Sequence, residues 1–300
     1  MTAEIPASGA HGGDGPAVAH ALGVRPGEVI DLSLSLNPFA PDVAAFAQRH
    51  LNALRHYPDA RDATAACADA LAVDRDRVLL TNGGSEAIAL VAHVVGGSVV
   101  AEPEFALHPR GAGRARWRSN PHNPTGILAS AAMTADVWDE AFYPLATGTW
   151  TRGDAGSIVV GSLTKVFACP GLRIGYIVAD DADRFRSRQP TWSVNGLALA
   201  LLPELLDRAD LPYWRQAIDS RRDELAALLQ ERGYRPLPSD APWLLVDAPG
   251  LRERLIPRRV VVRDCANFGL AGHVRIAVPD DAGMDHLHQV LPHFEEAALT

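Results

Sequence analysis

The sequence has almost no lysine. Of its 28 basic residues a single one, Lys165, is lysine and the rest are arginine, against 36 acidic residues and a net charge of −8. Cysteine is scarce as well. Cys67, Cys169 and Cys265 are far apart, odd in number and without a CxxC pair, which argues against both a disulfide framework and a zinc site. No basic block stands out, so nucleic acid is not an expected partner, because binding a phosphate backbone needs a positive face. No apolar run approaches the ~20 residues of a membrane helix, so no helical span is expected. The opening MTAEIPASGAHGGDG lacks the basic-then-apolar layout of a secretory signal, and the expected location is the cytoplasm. Nucleotide motifs are missing too: there is no G-x-x-x-x-G-K-[ST], and the glycine turn at 82–86 lacks G-x-G-x-x-G spacing.

What is present is a chain of 300 residues, 47% hydrophobic and 21% charged. That composition is too apolar for global disorder, and the length suits one large domain or two unequal ones. The lone lysine gives the first functional lead. Codon bias toward arginine explains most of the imbalance, yet one lysine has been kept. Arginine cannot stand in where an amine must lose its proton and attack a carbonyl, because its pKa stays above ~12. Lys165 is therefore a candidate covalent nucleophile, to be judged by its neighbourhood.

Residues 1–50 read as an N-terminal arm with a short helix near Pro16–Leu22 and an extended stretch at Val29–Leu36. Apolar spacing of three and four predicts helices over 42–54 and 60–71. A strand at Val78–Thr81, the turn Asn82-Gly83-Gly84, a helix at Ser85–Val95 and a strand at Ser98–Glu102 form a βαβ succession, which predicts a parallel sheet. Ser157–Gly161 and Ile174–Ala179 read as further buried strands. The second half changes character. A helix at Asp219–Arg232 stops at Gly233, three strand-like runs follow at Trp243–Asp247, Val260–Arg263 and Val274–Val278, and a last helix lies near Met284–Ala298. The expected architecture is α/β: a large domain over 51–205 with a mostly parallel sheet, and a smaller α+β C-terminal domain over 206–300.

Lys165 follows an apolar strand within Gly161-Ser-Leu-Thr-Lys-Val-Phe-Ala-Cys-Pro-Gly-Leu-Arg-Ile-Gly175. The carboxyl end of such a strand is where open α/β sheets bind ligands. Ser162 and Arg173 suit a phosphate, the latter through paired hydrogen bonds, although an ordinary strand–loop–strand connection would read the same way. Three more segments bear on the choice. Asn120-Pro-His-Asn-Pro-Thr-Gly126 is dense in turn formers. Asp139-Glu-Ala-Phe142 ends a strand in an acid that could pair with a cationic ring nitrogen or simply be solvated. Asn82-Gly-Gly-Ser-Glu86 opens a helix whose exposed amides can cradle phosphate.

Taken in order, NGGSE, NPHNPTG, DEAF, SLTK and GLRIGY, with HVRIAV near the end, closely resemble the fold type I pyridoxal-phosphate enzymes, the aspartate-aminotransferase superfamily. The resemblance implies that Lys165 bonds the cofactor aldehyde and that Asp139 keeps the pyridinium nitrogen protonated, so that the ring absorbs carbanion charge. It further implies that Asn123 contacts the ring hydroxyl and that Gly84, Ser85, Ser162 and Arg173 hold the phosphate. Tyr57 would reach the phosphate of a neighbouring subunit, which makes a homodimer the expected state.

Within the superfamily, His11-Gly-Gly-Asp14, Asp31–Pro38, Trp192-Ser-Val-Asn195 and Arg263-Asp-Cys-Ala-Asn-Phe268 are similar to cobalamin-pathway threonine-phosphate decarboxylases. Histidinol-phosphate aminotransferases, their near relatives, generally lack the first and last of these. By that likeness Arg263 and Arg275 hold anions of a small amino substrate, with His11 and Asn37 near its phosphate. Three functions follow as expectations: decarboxylation of L-threonine O-3-phosphate, transamination of the histidinol-phosphate type, and a non-catalytic binding protein on the same fold. Retention of Lys165, Asp139, Asn123 and Arg173 together argues against the last. Two departures stand out. His108 occupies the place where the family stacks an aromatic on the cofactor ring, and the segment between Ser85 and Asp139 is short, as though a strand–helix portion were trimmed.

Overall fold

The computed structural model describes residues 5–9, 11–153 and 156–294. Among them the strands are β1 (Ile30–Leu32), β2 (Val78–Thr81), β3 (Ser98–Val99), β4 (Arg116–Ser119), β5 (Val137–Asp139), β6 (Ile158–Gly161), β7 (Gly175–Val178), β8 (Trp243–Asp247), β9 (Val260–Asp264) and β10 (His273–Ala277). Two sheets result, a six-stranded one in the order β2-β7-β6-β5-β4-β3 and a four-stranded one in the order β1-β9-β10-β8. No helix among the described residues is long and apolar enough to cross a membrane.

The larger sheet is parallel from β3 through β6, and β7 runs antiparallel to both of its neighbours. Every residue of β2, β5, β6 and β7 is buried. Both faces are covered, and this is why these strands read as continuous apolar runs rather than alternating ones. The pleat divides their side chains between two cores. Leu80, Trp138 and Val159 pack with the helices Arg61–Leu71 and Gly196–Asp207, whereas Leu79, Val137 and Ile158 pack with Gly83–Val95.

The βαβ expectation needs correcting. β2 and β3 run in the same direction but are opposite edges of the sheet, with β4 to β7 between them. A local succession of elements fixes direction, and later strands are free to insert between the first two. The second strand is also shorter than expected, ending at Val99, and residues 100–115 then cross to β4 without a helix. Parallel neighbours usually need one. β4 itself was not anticipated, because Trp117 is the one apolar side chain in Arg-Trp-Arg-Ser.

β1 forms within the expected extended stretch but is shorter, and it pairs in parallel with β9, Ile30 opposite Val260. A segment from the start of the chain thus edges the sheet built by its last third. Behind that sheet the helix Leu211–Glu231 begins earlier than periodicity implied, and it buries Leu225, Leu228 and Leu229 against Leu244, Val246 and Val274. The last helix is Asp281–Val290; of the expected span, 295–298 lies outside the described residues. The helix expected over 42–54 is Val43–His50 followed by a 3-10 turn, Leu51–Arg55, neither of which buries a residue fully.

One close approach sets the end of β6. A Cβ on Gly161 would lie 2.1 Å from the ring of Tyr176, which is 1% exposed. Gly161→Ala is therefore expected to destabilise the protein by about 1–3 kcal/mol through overpacking, read as a lowered thermal midpoint. Gly171→Ala, whose added Cβ meets nothing within 4 Å, should leave the midpoint unchanged.

Candidate active site

Because β2, β4, β5 and β6 are parallel, their carboxyl ends open on one side of the sheet, where ligands of such sheets bind. Asp139 ends β5, Gly161 ends β6 and Ser119 ends β4. They meet at a cavity of about 200 Å³. Of the residues expected at the site, His11, Gly84, Ser85, Asn123, Asp139, Ser162, Lys165, Arg173 and Arg275 line this cavity.

Lys165 sits on the short helix Leu163–Val166 that follows β6. Its Nζ donates to the Leu34 carbonyl at 3.4 Å and lies 5.9 Å from the Phe142 ring centroid. Burial, followed by the charges of Arg275 and Arg173, lowers its pKa to about 8, against the opposing pull of Asp139 and Asp31. With the pKa so lowered, a minor but appreciable fraction of the amine is neutral near physiological pH and can act as a nucleophile.

Asp139 is buried and twice hydrogen-bonded: Oδ1 accepts from the Ala141 amide at 3.0 Å and Oδ2 pairs with His108 Nε2 at 2.9 Å. Across the cavity, Gly83 and Gly84 begin the helix Gly83–Val95. Gly83 has φ +76°, and a Cβ there would fall 2.6 Å from Arg173 Nη2, so the guanidinium occupies the space that the missing side chain leaves. Ser162 stands beside Gly84, where an added Cβ would touch its own Cβ at 3.4 Å. Helix amides, a hydroxyl and a guanidinium thus converge, a donor set suited to a phosphate.

Arg275 lies on β10, and its Nη1 donates to Asn123 Oδ1 at 2.7 Å while the guanidinium covers Trp243 at 4.7 Å from the ring centroid. Burial lowers its pKa to about 10, which leaves it charged at neutral pH. Its Nε is buried without a hydrogen-bond partner. His11 reaches the cavity from the N-terminal arm and meets the Phe105 ring edge-on, centroids 5.9 Å apart. Ser33 Oγ accepts from the Gly13 amide at 2.8 Å, and Arg252 pairs with Asp14 at 3.5 Å, so the arm is tied down.

Four expected residues stand elsewhere. Arg263 is 1% exposed and donates to the Gly9 carbonyl at 2.7 Å and to Asn267 Oδ1 at 3.2 Å; it fastens the arm and is not on the cavity wall. Asn37 donates to the Val166 carbonyl at 2.9 Å, and its amide donates to the Lys165 carbonyl at 3.1 Å. It braces the lysine's backbone rather than facing the cavity. Tyr57 is 75% exposed and stacked on Trp192, centroids 4.2 Å apart, well outside the cavity. His108 does not lie over a ring site: its side chain is sealed behind Asp139, and the aromatic facing the cavity from that segment is Phe105. Phe105, Phe142 and Glu104 had not been singled out. The aromatic in Pro103-Glu-Phe-Ala-Leu-His108 was the available signal, but periodicity cannot say which of two rings in a loop turns inward.

The protein family described as aminotransferase class I and II matches residues 117–291. Threonine-phosphate decarboxylase from Salmonella typhimurium is 30% identical over 347 residues, covering 93% of this chain and 94% of its own length. That alignment is longer than the chain's 300 residues, so it carries gaps on this side, in keeping with a trimmed segment. Histidinol-phosphate aminotransferase 2 from Methylococcus capsulatus is 28% identical, with 83% of this chain and 86% of that protein covered. Among solved structures, histidinol-phosphate aminotransferase from Sinorhizobium meliloti in complex with pyridoxal-5'-phosphate superimposes with a TM-score of 0.77 at 18% identity, covering 92% of this chain and 93% of that one.

The chain belongs to the class I and II aminotransferase family, whose members are pyridoxal-phosphate enzymes of fold type I. The cavity fits that cofactor: a lone amine with a lowered pKa, a buried carboxylate, and a glycine–arginine cradle for a phosphate share one wall system.

With a single lysine, its titration can be read chemically. Competitive acetylation of the cofactor-free protein, followed by mass spectrometry of the Lys165 peptide, is expected to show reactivity rising with a midpoint near pH 8. The unfolded chain should titrate near ~10.4, and coincidence of the two curves would contradict the assigned environment.

Proposed function

We propose that the protein uses pyridoxal phosphate to decarboxylate a phosphorylated amino acid, L-threonine O-3-phosphate, yielding an aminopropanol phosphate for the cobalamin side chain. The observation that carries this choice within the family is His11. The His11-Gly-Gly-Asp14 segment is a mark of the decarboxylase likeness, and its imidazole lines the same cavity as Lys165 and Arg275. The 30% identity to the Salmonella typhimurium decarboxylase supports the same choice.

When bound, pyridoxal phosphate supplies an electron sink that weakens the bonds to the substrate's α-carbon. The chain's residues do the rest. Gly84, Ser85, Ser162 and Arg173 would hold the cofactor phosphate, and the Asp139 carboxylate would pair with the ring nitrogen. Asn123, whose Oδ1 accepts from Arg275, would contact the ring hydroxyl. Lys165, with a pKa lowered to about 8, is the amine that would hold the cofactor aldehyde, and it is placed to hold or move a proton at its Nζ. Arg275, which lines the cavity and stays charged, would meet a substrate anion. His11 supplies a ring at the substrate phosphate, and Arg263 serves it indirectly by holding the arm at Gly9. By orienting the substrate, these anion clamps would select between loss of the carboxylate and loss of the proton.

The second reading, transamination of the histidinol-phosphate type, uses the same Lys165 and Asp139 and is favoured by the 28% identical Methylococcus capsulatus relative. In either case we infer a homodimer. Leu51, Leu54, Tyr57 and Trp192 are 51%, 65%, 75% and 57% exposed, a surface suited to a second copy whose cofactor phosphate Tyr57 would approach.

Incubation with threonine phosphate and pyridoxal phosphate is expected to release CO2, with no amino group appearing on an added keto acid. Arg275→Gln should reduce the rate at least a hundredfold, and Lys165→Ala should abolish it. Amino transfer without gas would overturn the decarboxylase reading in favour of the second.

A further inference from the structure

Arg275 carries its charge without a counter-ion. It is buried, and among the described residues no carboxylate forms an ion pair with it; the titratable groups that act on it are Cys265 and Arg263. The hydrogen bond it makes, from Nη1 to Asn123 Oδ1, goes to a neutral amide. A buried charge is costly unless something favourable surrounds it. Here that surrounding is an indole. Trp243 on β8 lies diagonally across from Arg275 on β10, whose register partner is Leu245. The guanidinium carbon stands 4.7 Å from the Trp243 ring centroid.

Trp243 is itself fixed in place. It is fully buried. Its Nε1 donates to the Pro124 carbonyl at 2.8 Å, in the loop that carries Asn123, and its ring meets Phe142 edge-on with centroids 4.8 Å apart. Asp240, just before β8, joins the same loop twice: its amide donates to the Gly126 carbonyl and its Oδ2 accepts from the Leu128 amide, each at 2.9 Å. The start of β8 is thus stitched to residues 120–128, and the indole keeps its place relative to Asn123. Phe142 lines the cavity, with Lys165 Nζ 5.9 Å from its ring centroid.

We propose that Trp243 is a positioning residue for Arg275: its indole face seats the guanidinium at the cavity wall without neutralising it, so that the positive charge stays available to a substrate anion. A carboxylate in that place would hold the guanidinium by paired hydrogen bonds. It would also cancel the charge, and a ligand anion would have to displace it. The face of an indole attracts a cation through its quadrupole while carrying no net charge, and the attraction is strongest where water is excluded. Asn123 then fixes one nitrogen, and Trp243 bears the body of the guanidinium. The proposal rests on the reading that Arg275 meets a substrate anion, and its test separates the two.

The first readout needs neither cofactor nor substrate. Arg275 is one of the charges that lower the Lys165 pKa to about 8, so the acetylation midpoint of Lys165 reports whether the guanidinium is in place. Arg275→Gln should raise that midpoint toward ~10.4. Trp243→Leu should reproduce at least half of the rise, and Trp243→Phe, which keeps an aromatic face, should give less. Trp243→Leu combined with Arg275→Gln should not exceed Arg275→Gln alone. Fluorinated tryptophans placed at 243 keep the shape and the Nε1 donor while drawing electron density from the ring face. With them the midpoint should climb with each added fluorine, and they decide the comparison if Trp243→Leu does not fold. The second readout is CO2 release from threonine phosphate by the holoenzyme, in which Trp243→Leu should raise KM about tenfold or more. If the holoenzyme releases no CO2, or Arg275→Gln leaves KM unchanged, the reading of Arg275 fails while the midpoints still judge Trp243. A midpoint unmoved by the fluorinated series, a Trp243→Leu rise that adds in full to that of Arg275→Gln, or a KM unchanged by Trp243→Leu but raised by Arg275→Gln would overturn the role proposed for Trp243.

Discussion

A buried amine whose pKa is lowered by a cationic corner is the constraint on which the rest of this site depends. Lys165 is flanked by Arg275 and Arg173, and burial together with those charges lowers its pKa to about 8. An ammonium there is less favoured than in water, so more of the neutral, reactive amine is present at a given pH. The two arginines thus act twice. They present donors toward anions in the cavity, and they hold the lysine near the protonation state in which it can attack a carbonyl. The surrounding carboxylates, Asp139 and Asp31, act in the opposite sense and limit the lowering.

The fold produces this corner by bringing parallel strand ends together and closing them with a segment from far away in sequence. Ser119, Asp139 and Gly161 end three adjacent parallel strands. Asn37, from the first fifth of the chain, fastens to the backbone of Lys165 and Val166, while Arg263 and Arg252 clamp the arm that carries His11. The site therefore has contributions from both sheets and from the N-terminal arm. The helix-free crossover between β3 and β4 is compatible with it, because Gly84, Asp139, Ser162, Lys165 and Arg173, which line the cavity, come from outside residues 100–115.

Much of this was legible from residues alone. The only lysine, the helix-opening Asn82-Gly-Gly-Ser85, the acid ending Val-Trp-Asp139 and the paired Ser162 and Arg173 all come together at one cavity. Strand identity was readable wherever both faces are buried, as in Val78–Thr81 and Ile158–Gly161, because such strands are apolar throughout. Strand order was not, since it depends on pairings between segments far apart in sequence; β2 and β3 looked like neighbours and proved to be opposite edges. Arg116–Ser119 was missed for want of apolar residues. Side-chain direction within a loop was the other blind spot. Phe105 and His108 sit three residues apart, and nothing in their spacing indicates that the phenyl ring faces the cavity while the imidazole turns back onto Asp139. Arg263 was similarly misread, because a strand-end arginine near an anion site and one that ties down a chain terminus look alike in sequence.

The central claim, that Lys165 is the covalent attachment point for pyridoxal phosphate, is most directly tested by mixing protein and cofactor, reducing with borohydride and mapping the product by mass spectrometry. The account predicts one cofactor mass added per chain, located on the peptide containing Lys165 and absent from Lys165→Ala. A label found on the N-terminal amine alone, or no label at saturating cofactor, would contradict it.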